Sequence, residues 1–271
     1  MAICVAVAGA TGWAGSAVTR ALIQSEEFVL VGAVSRSHAG QDIGEVLGLS
    51  PCGVVVAGTV PEALTSACDV LIDYTHPTVV KQHAITALES GVHVVIGTSG
   101  LTAQDFEEID EIARRQGKGV VAAGNFSLTA ALAKHFSLMA AQYLGSWEIV
   151  EYASQSKVDA PGGTVQELAE SLSAIRQPDI FVPRENVIGR PQSRGADIQG
   201  TTVHAVRLPG YILGFDVLFG MPDERLTIHH EAGQNASPYV AGTLLAARKV
   251  GQVSGIVRGL NTLLFLNNPD Q

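Results

Sequence analysis

Lys157-Val158-Asp159-Ala160-Pro161-Gly162-Gly163-Thr164 puts one cation and a turn-forming Pro-Gly-Gly-Thr run directly before Val165, Leu168, Ala169, Leu172 and Ile175, which recur at helical spacing. That pattern outlines an anion site. The N–H groups of Gly163 and Thr164 fall in a first helical turn, where backbone donors have no intrahelical acceptor. Lys157 adds a full positive charge, so a carboxylate or a phosphate is the chemistry expected there. The same residues would also suit an ordinary capped helix beside a solvated lysine, and the other end of the chain favours the ligand.

There, an apolar strand beginning at Ile3 runs into Gly9-Ala10-Thr11-Gly12-Trp13-Ala14-Gly15 and then into the helical pattern from Ser16 to Leu22. A second strand, Phe28 to Val34, follows within the span of one βαβ unit. Glycines at G-x-x-G-x-x-G spacing permit a tight turn and let a pyrophosphate approach a helix N-terminus, which is a dinucleotide fingerprint. Gly9, Thr11, Gly12, Trp13, Ala14 and Gly15 are therefore candidate cofactor-binding residues. An NAD-binding unit carries Asp or Glu about 20 residues further on, against the ribose 2′-hydroxyl; Ser35-Arg36-Ser37 stand there instead. The missing carboxylate removes an acceptor for NADH and a repulsion against a 2′-phosphate, while Arg36 can fork onto that phosphate. NADPH is the expected cofactor, with NADH tolerated.

The elements that must position these residues alternate strand and helix. Strand-like runs at Cys68 to Thr75, Val92 to Gly100 and Val120 to Ser127 are followed by helical patterns at Val79 to Ser90, Thr102 to Gln116 and Leu128 to Leu144. The fold class expected is α/β, a Rossmann-type doubly wound parallel sheet. Ligands of such sheets lie at the carboxyl ends of the strands. Tyr74, Thr75, His76, Gly97, Thr98, Ser99, Asn125 and Phe126 are thus expected at the nicotinamide end. After residue 145 the pattern changes: Ser146 to Ala153 reads as a strand, and Asp179 to Ser193 as a proline-marked loop. Gly200 to Leu208, Tyr211 to Phe219 and Arg225 to Ala232 read as antiparallel strands, and Ser237 to Val250 as an apolar helix packing back on the first domain. The expected domains are 1–127 with 240–271 for the dinucleotide, and a central α+β domain, 128–239, for substrate and oligomerisation.

The 271 residues are 46% apolar and carry a formal net charge of −9, with no basic run. Nucleic acid and anionic membranes are not expected partners; small anions are. Cys4, Cys52 and Cys68 show no metal-ligand or C-x-x-C spacing, so no metal site is expected and the thiols should be reduced and mostly buried. The apolar start lacks the basic region of a secretory signal and leads into the glycine loop, and no apolar run is long enough to span a bilayer. A cytoplasmic enzyme is expected.

The glycine loop, Ile96-Gly97-Thr98-Ser99-Gly100, Asn125-Phe126-Ser127, Lys157 to Thr164, Arg207-Leu208-Pro209-Gly210 and Glu224 to His230 occur in an order that resembles the dihydrodipicolinate reductases, lysine-pathway enzymes also called 4-hydroxy-tetrahydrodipicolinate reductases. The resemblance spans nearly the whole chain. It implies a Rossmann-type cofactor domain, a central domain whose sheet builds a homotetramer, and hydride transfer from NAD(P)H to a cyclic unsaturated dicarboxylate. It assigns Lys157 as the catalytic lysine, and Lys157, Gly163 and Thr164 as ligands of the substrate carboxylates; Gly162 stands where serine is usual.

Two departures from the family pattern stand out. The family's histidine pair, four and three residues before the lysine, provides the proton donor and a substrate contact; here those positions are Ala153 and Ser154. Reduction places a proton as well as a hydride, so another group must act, and Tyr152, Lys157, His76, His204, His229, His230 and a water held by Ser154 remain open, with His230 better suited to the scaffold. At the cofactor, Ser35-Arg36 replaces an acidic-basic pair, and Trp13 stands in a loop that often holds arginine. The substrate is either dihydrodipicolinate or a related cyclic imine or enone acid. A nucleotide-binding relative without turnover, acting in regulation, is the alternative that loss of the histidines would permit.

Overall fold

The computed structural model describes residues 2–64 and 67–266. The chain divides into two compact units, Met1–Leu128 with Ala236–Gln271, and Thr129–Asn235.

In the first unit, β1 (Ile3–Ala8), α1 (Trp13–Ile23), β2 (Phe28–Val34), α2 (Ile43–Val46), β3 (Val56–Ala57) and α3 (Val60–Ala63) form one half of a sheet. The strands β4 (Val70–Asp73), β5 (His93–Ile96) and β6 (Gly119–Ala122), joined through α4 (Pro77–Glu89) and α5 (Ala103–Arg115), form the other half. The described strands pair in parallel in the order β12-β6-β5-β4-β1-β2-β3, where β12 (Gly255–Arg258) is a late strand that the hydrophobic pattern did not reveal. Strand order reverses between β1 and β4, and a doubly wound sheet opens its ligand crevice at such a point. Every residue of β4 and β6 is buried, as expected for parallel strands covered on both faces. Their apolar runs join Ala84, Leu88, Ile109 and Ala113 of α4 and α5 in one core. The closing helices α8 (Ser237–Lys249) and α9 (Leu260–Phe265) belong to this unit, and Tyr239 of α8 meets the Trp13 ring edge-on at 5.5 Å.

The second unit holds α6 (Leu128–Tyr143) almost entirely, then β7 (Ser146–Ala153), α7 (Gly163–Ile175), β8 (Ala196–Ile198), β9 (Thr201–Arg207), β10 (Leu213–Met221) and β11 (Glu224–Ala232). Sheet order is β11-β10-β7-β9-β8. The expectation of antiparallel strands holds for β10 with β11 and β7, but β9 lies on the other side of β7 and runs parallel to it. The long excursion through α7 gives the chain room to cross over, which a parallel neighbour requires. β7 alternates half-buried with buried residues along its whole length, so one face is covered. Trp147, Ile149, Val203, Phe215, Val217 and Phe219 pack there against Val165, Leu168, Ala169 and Leu172 of α7. Truncating Leu168 or Leu172, both fully buried, would cost about 2–5 kcal/mol.

Candidate active site

Each unit presents a helix N-terminus with unsatisfied donors, and each is built differently. In the first, Gly9 adopts φ +79° at the end of β1, and a Cβ there would stand 2.2 Å from the Tyr74 carbonyl oxygen at the end of β4. A Cβ on Gly15 would come within 2.0 Å of the Gly9 carbonyl oxygen. Only glycine permits this closeness. α1 begins after Gly12 without a side-chain cap or any acidic residue in its first turn. Among the described residues, the N–H groups of Trp13, Ala14 and Gly15 have no acceptor. Such a terminus attracts an anion through both the orphan donors and the helix dipole.

At the end of β2, Thr11 and Ser35 share a hydrogen bond of 2.8 Å, Ser35 and Ser37 one of 3.3 Å, and Ser37 meets His38 Nδ1 at 2.9 Å. Ser35 is therefore buried and tied to the glycine loop. Arg36 is exposed and makes no ion pair or hydrogen bond among the described residues. Trp13 is 60% exposed at the start of α1.

The expected nicotinamide end divides into groups that face out and groups turned inward. The Tyr74 hydroxyl bonds Thr243 at 2.6 Å, its ring lies where a Gly97 Cβ would be, and burial pushes its pKa well above the ordinary phenol value. The Thr75 and Thr98 hydroxyls both donate to Asp73 at 2.7 Å. His76 caps α4, its Nδ1 accepting from the Thr78 N–H, and Asn125 Oδ1 accepts from the Ser127 N–H. The Phe126 ring is 1% exposed and lies edge-on to Tyr74, so its side chain belongs to the core. Ser99 alone of the Gly97-Thr98-Ser99 run is exposed.

In the second unit, α7 starts after Gly162, again without a side-chain cap and without an acid in its first turn. The N–H groups of Val165 and Gln166 bond the Gly162 carbonyl, while those of Gly163 and Thr164 have no acceptor among the described residues. A Cβ on Gly162 would meet Lys157 Nζ at 3.1 Å and Glu151 Oε1 at 2.7 Å, which brings the lysine's charge to the helix start. Lys157 pairs with Asp159, and that hydrogen bond holds the Asp159 carboxyl below its usual range. Ser154 takes part in the turn: its hydroxyl meets Ser156 at 3.0 Å and its carbonyl accepts from the Lys157 N–H. Ala153 is fully buried.

Sequence reasoning missed what braces this loop. Glu151, 1% exposed, accepts from the Gly162 N–H at 2.8 Å and from Arg207 Nη2 at 2.6 Å, and Arg207 also donates to the Asp159 carbonyl. A signal existed. Glu151 occupies the covered register of β7, with Trp147, Ile149 and Ala153, where a carboxylate needs a charged partner. Of the groups considered as acids, His229 and Tyr152 share Asp216 on the other face of this sheet, His204 pairs with Glu148, and His230 is buried against Phe215. None joins Lys157. Among the described residues no group of metal-ligating side chains exists, and no helix is long and apolar enough to cross a membrane. The thiols are free; Cys68 is buried, which pushes its pKa up to about 11, whereas Cys4 and Cys52 are only half-buried.

Two family models match this chain: dihydrodipicolinate reductase, N-terminus, over residues 3–126, and dihydrodipicolinate reductase, C-terminus, over 126–264. The 4-hydroxy-tetrahydrodipicolinate reductase of Moorella thermoacetica is 39% identical over 262 residues, covering 96% of this chain and 97% of that one. Its counterpart from Desulfitobacterium hafniense is 37% identical over 260 residues, covering 95% and 97%. Among solved structures, a dipicolinate-bound dihydrodipicolinate reductase from Paenisporosarcina sp. TG-14 superimposes with a TM-score of 0.82 at 29% identity, covering 97% of this chain and 99% of that one.

Proposed function

The chain belongs to the dihydrodipicolinate reductase family, and on that premise we propose that it is an NADPH-dependent reductase of dihydrodipicolinate, serving lysine synthesis in the cytoplasm. The observation that carries this reading is the start of α7, where two free backbone donors and the Lys157 ammonium converge without a neighbouring acid in the helix. A planar dicarboxylate supplies the anion such a site favours. An arriving carboxylate competes with Asp159 for Lys157, and Gly163 and Thr164 donate to it through their backbone.

The first unit holds the dinucleotide, with the pyrophosphate at the start of α1 and the 2′-phosphate on Arg36. NADPH supplies the hydride when bound. The chain's own residues hold the acceptor by its carboxylates and provide a proton, for which Lys157 is the cation at the anion site. Preference for NADPH rests on the free guanidinium of Arg36 and on the absence of a carboxylate in the Ser35-Arg36-Ser37 run. The outward face of the five-stranded sheet, on which Leu218 is exposed, is the surface we assign to a homotetramer.

A second reading, reduction of a related cyclic imine or enone acid, is favoured by Ala153 and Ser154 standing at the family's histidine positions. NADPH oxidation followed with dihydrodipicolinate and with a panel of cyclic imino acids separates the two. Saturable turnover of dihydrodipicolinate supports the first reading; turnover only of another acid supports the second. Nucleotide binding without turnover of any of them would leave the regulatory alternative.

A further inference from the structure

Asp73, the last residue of β4, has a carboxylate with no exposure at all, and it is saturated by donors from three places. Its Oδ1 accepts from the Thr75 N–H at 3.0 Å, the Thr75 hydroxyl at 2.7 Å and the Thr98 hydroxyl at 2.7 Å. Its Oδ2 meets His83 Nδ1, from α4, at 2.8 Å. Thr98 Oγ1 in turn accepts from the Thr75 N–H at 2.8 Å, which closes a ring between the loop after β4 and the loop after β5. A carboxylate with its acceptors filled and no route to solvent has no chemistry to offer a substrate, yet burying it is expensive unless each bond is made. What it does have is reach: one side chain fixes two loops that rise at the carboxyl ends of adjacent strands.

Those loops lie on the β4–β5 side of the point where strand order reverses, the half of a doubly wound sheet that receives the second nucleotide. The glycine loop and the Ser35–Ser37 segment lie on the β1–β2 side and share none of these bonds. We propose that Asp73, clasped by His83, is a positioning residue for the nicotinamide half of the cofactor, setting the Thr75 and Thr98 loops without touching the adenosine half. This deepens the NADPH-dependent reading given above and rests on it. Charge-assisted bonds in a dry environment hold direction better than hydroxyl pairs, so the hydride donor's ring would meet a preset surface.

The test compares NADPH with its adenosine fragment, 2′,5′-ADP, by calorimetric titration of the full chain. Thr98→Val removes the hydroxyl that bridges the two loops and keeps the side chain's shape; Thr98→Ser restores it; Asp73→Asn alters the carboxylate itself. The expected result is a loss of NADPH affinity of at least tenfold in Thr98→Val and Asp73→Asn, with 2′,5′-ADP affinity within twofold of wild type, and recovery of NADPH affinity in Thr98→Ser. If Asp73→Asn fails to fold, the two Thr98 variants decide the outcome alone. Unchanged NADPH affinity in Thr98→Val overturns the proposal, as does an equal loss for the fragment, which would mark the cluster as general support for the fold. A wild-type chain that binds the fragment and NADPH with the measured difference near zero also overturns it, because the nicotinamide half then adds nothing to position. Absence of binding by wild type to either compound overturns the NADPH-dependent reading itself, and this inference with it.

Discussion

The starts of α1 and α7 solve the same problem by opposite means. Both helices begin after a glycine, lack a side-chain cap, carry no acid in the first turn and, among the described residues, leave backbone N–H groups without acceptors. At α1 the surroundings are backbone: Gly9 and Gly15 let the β1 turn, the helix and the Tyr74 carbonyl come closer than any Cβ allows. An anion there would be held by shape and dipole, and the nearby cation, Arg36, is a separate exposed group. At α7 the surroundings are charge: Lys157, Asp159, Glu151 and Arg207 form a linked set around the Gly162 turn. A site built on backbone closeness suits a ligand of fixed form, a pyrophosphate. A site built on side-chain charge can be tuned to a particular acid, and Gly162 and Ala153-Ser154, which depart from the family pattern, lie at this second site or beside it.

The contrast is sharpest in Lys157→Met, which removes charge from the α7 site and nothing from α1. Turnover with the cognate acid should fall about 10²–10³-fold or more, as for loss of a single preorganised donor, with the dissociation constant for NADPH unchanged by titration. A comparable loss of NADPH affinity would break the separation of roles.

Next comes Glu151→Gln, which leaves Arg207 without its buried counter-charge and Gly162 with a weaker acceptor. A destabilisation of about 3 kcal/mol is expected, read as a fall in melting temperature of about 6–12 °C together with weaker acid binding. A melt within a degree of wild type would mean that the loop does not depend on the brace.

Arg36→Ala tests the cofactor end. Loss of an exposed charge-assisted contact should weaken NADPH by about 1–2 kcal/mol, about 5–30-fold, while NADH stays within twofold. Equal dissociation constants for the two cofactors in wild type, unaltered by the substitution, would remove Arg36 from the site.

The smallest effect is expected at His229, on the outward face of the second unit's sheet, where its hydrogen bond to Asp216 raises the imidazole pKa above its ordinary value. A raised folded-state pKa gives stability that is complete below the unfolded value, near about 6.5, and is lost as pH rises through the folded value. His229 is half exposed, so solvent screening keeps the contribution under about 1 kcal/mol. Melting curves of wild type and His229→Gln should differ at pH 5.5 and converge at pH 8.5; a pH-independent difference would show that the charge on His229 is irrelevant to stability.

Much of this molecule was legible before any fold was known. The glycine spacing located the turn after β1, the strand-like composition of Ser146 to Ala153 located β7 to the residue, and the apolar spacing after Gly163 located α7 and its first-turn donors. These are local properties, since helical and strand periods and the donors of a first turn depend on neighbours within a few residues. Family membership followed from the order of such local motifs. Only the tertiary structure decided which side chains those motifs had to spare. Thr98 spends its hydroxyl on Asp73, 25 positions away in sequence, Glu151 meets Arg207 across 56, and Tyr74 reaches Thr243 across 169. Phe126 sits in a motif of cofactor-binding appearance, and only the fold showed that its ring is buried. The parallel pairing of β9 with β7 belongs to the same class. Partners of this kind are brought together by the burial of apolar faces on opposite sides of a sheet, and no spacing along the chain records which residues will then lie side by side.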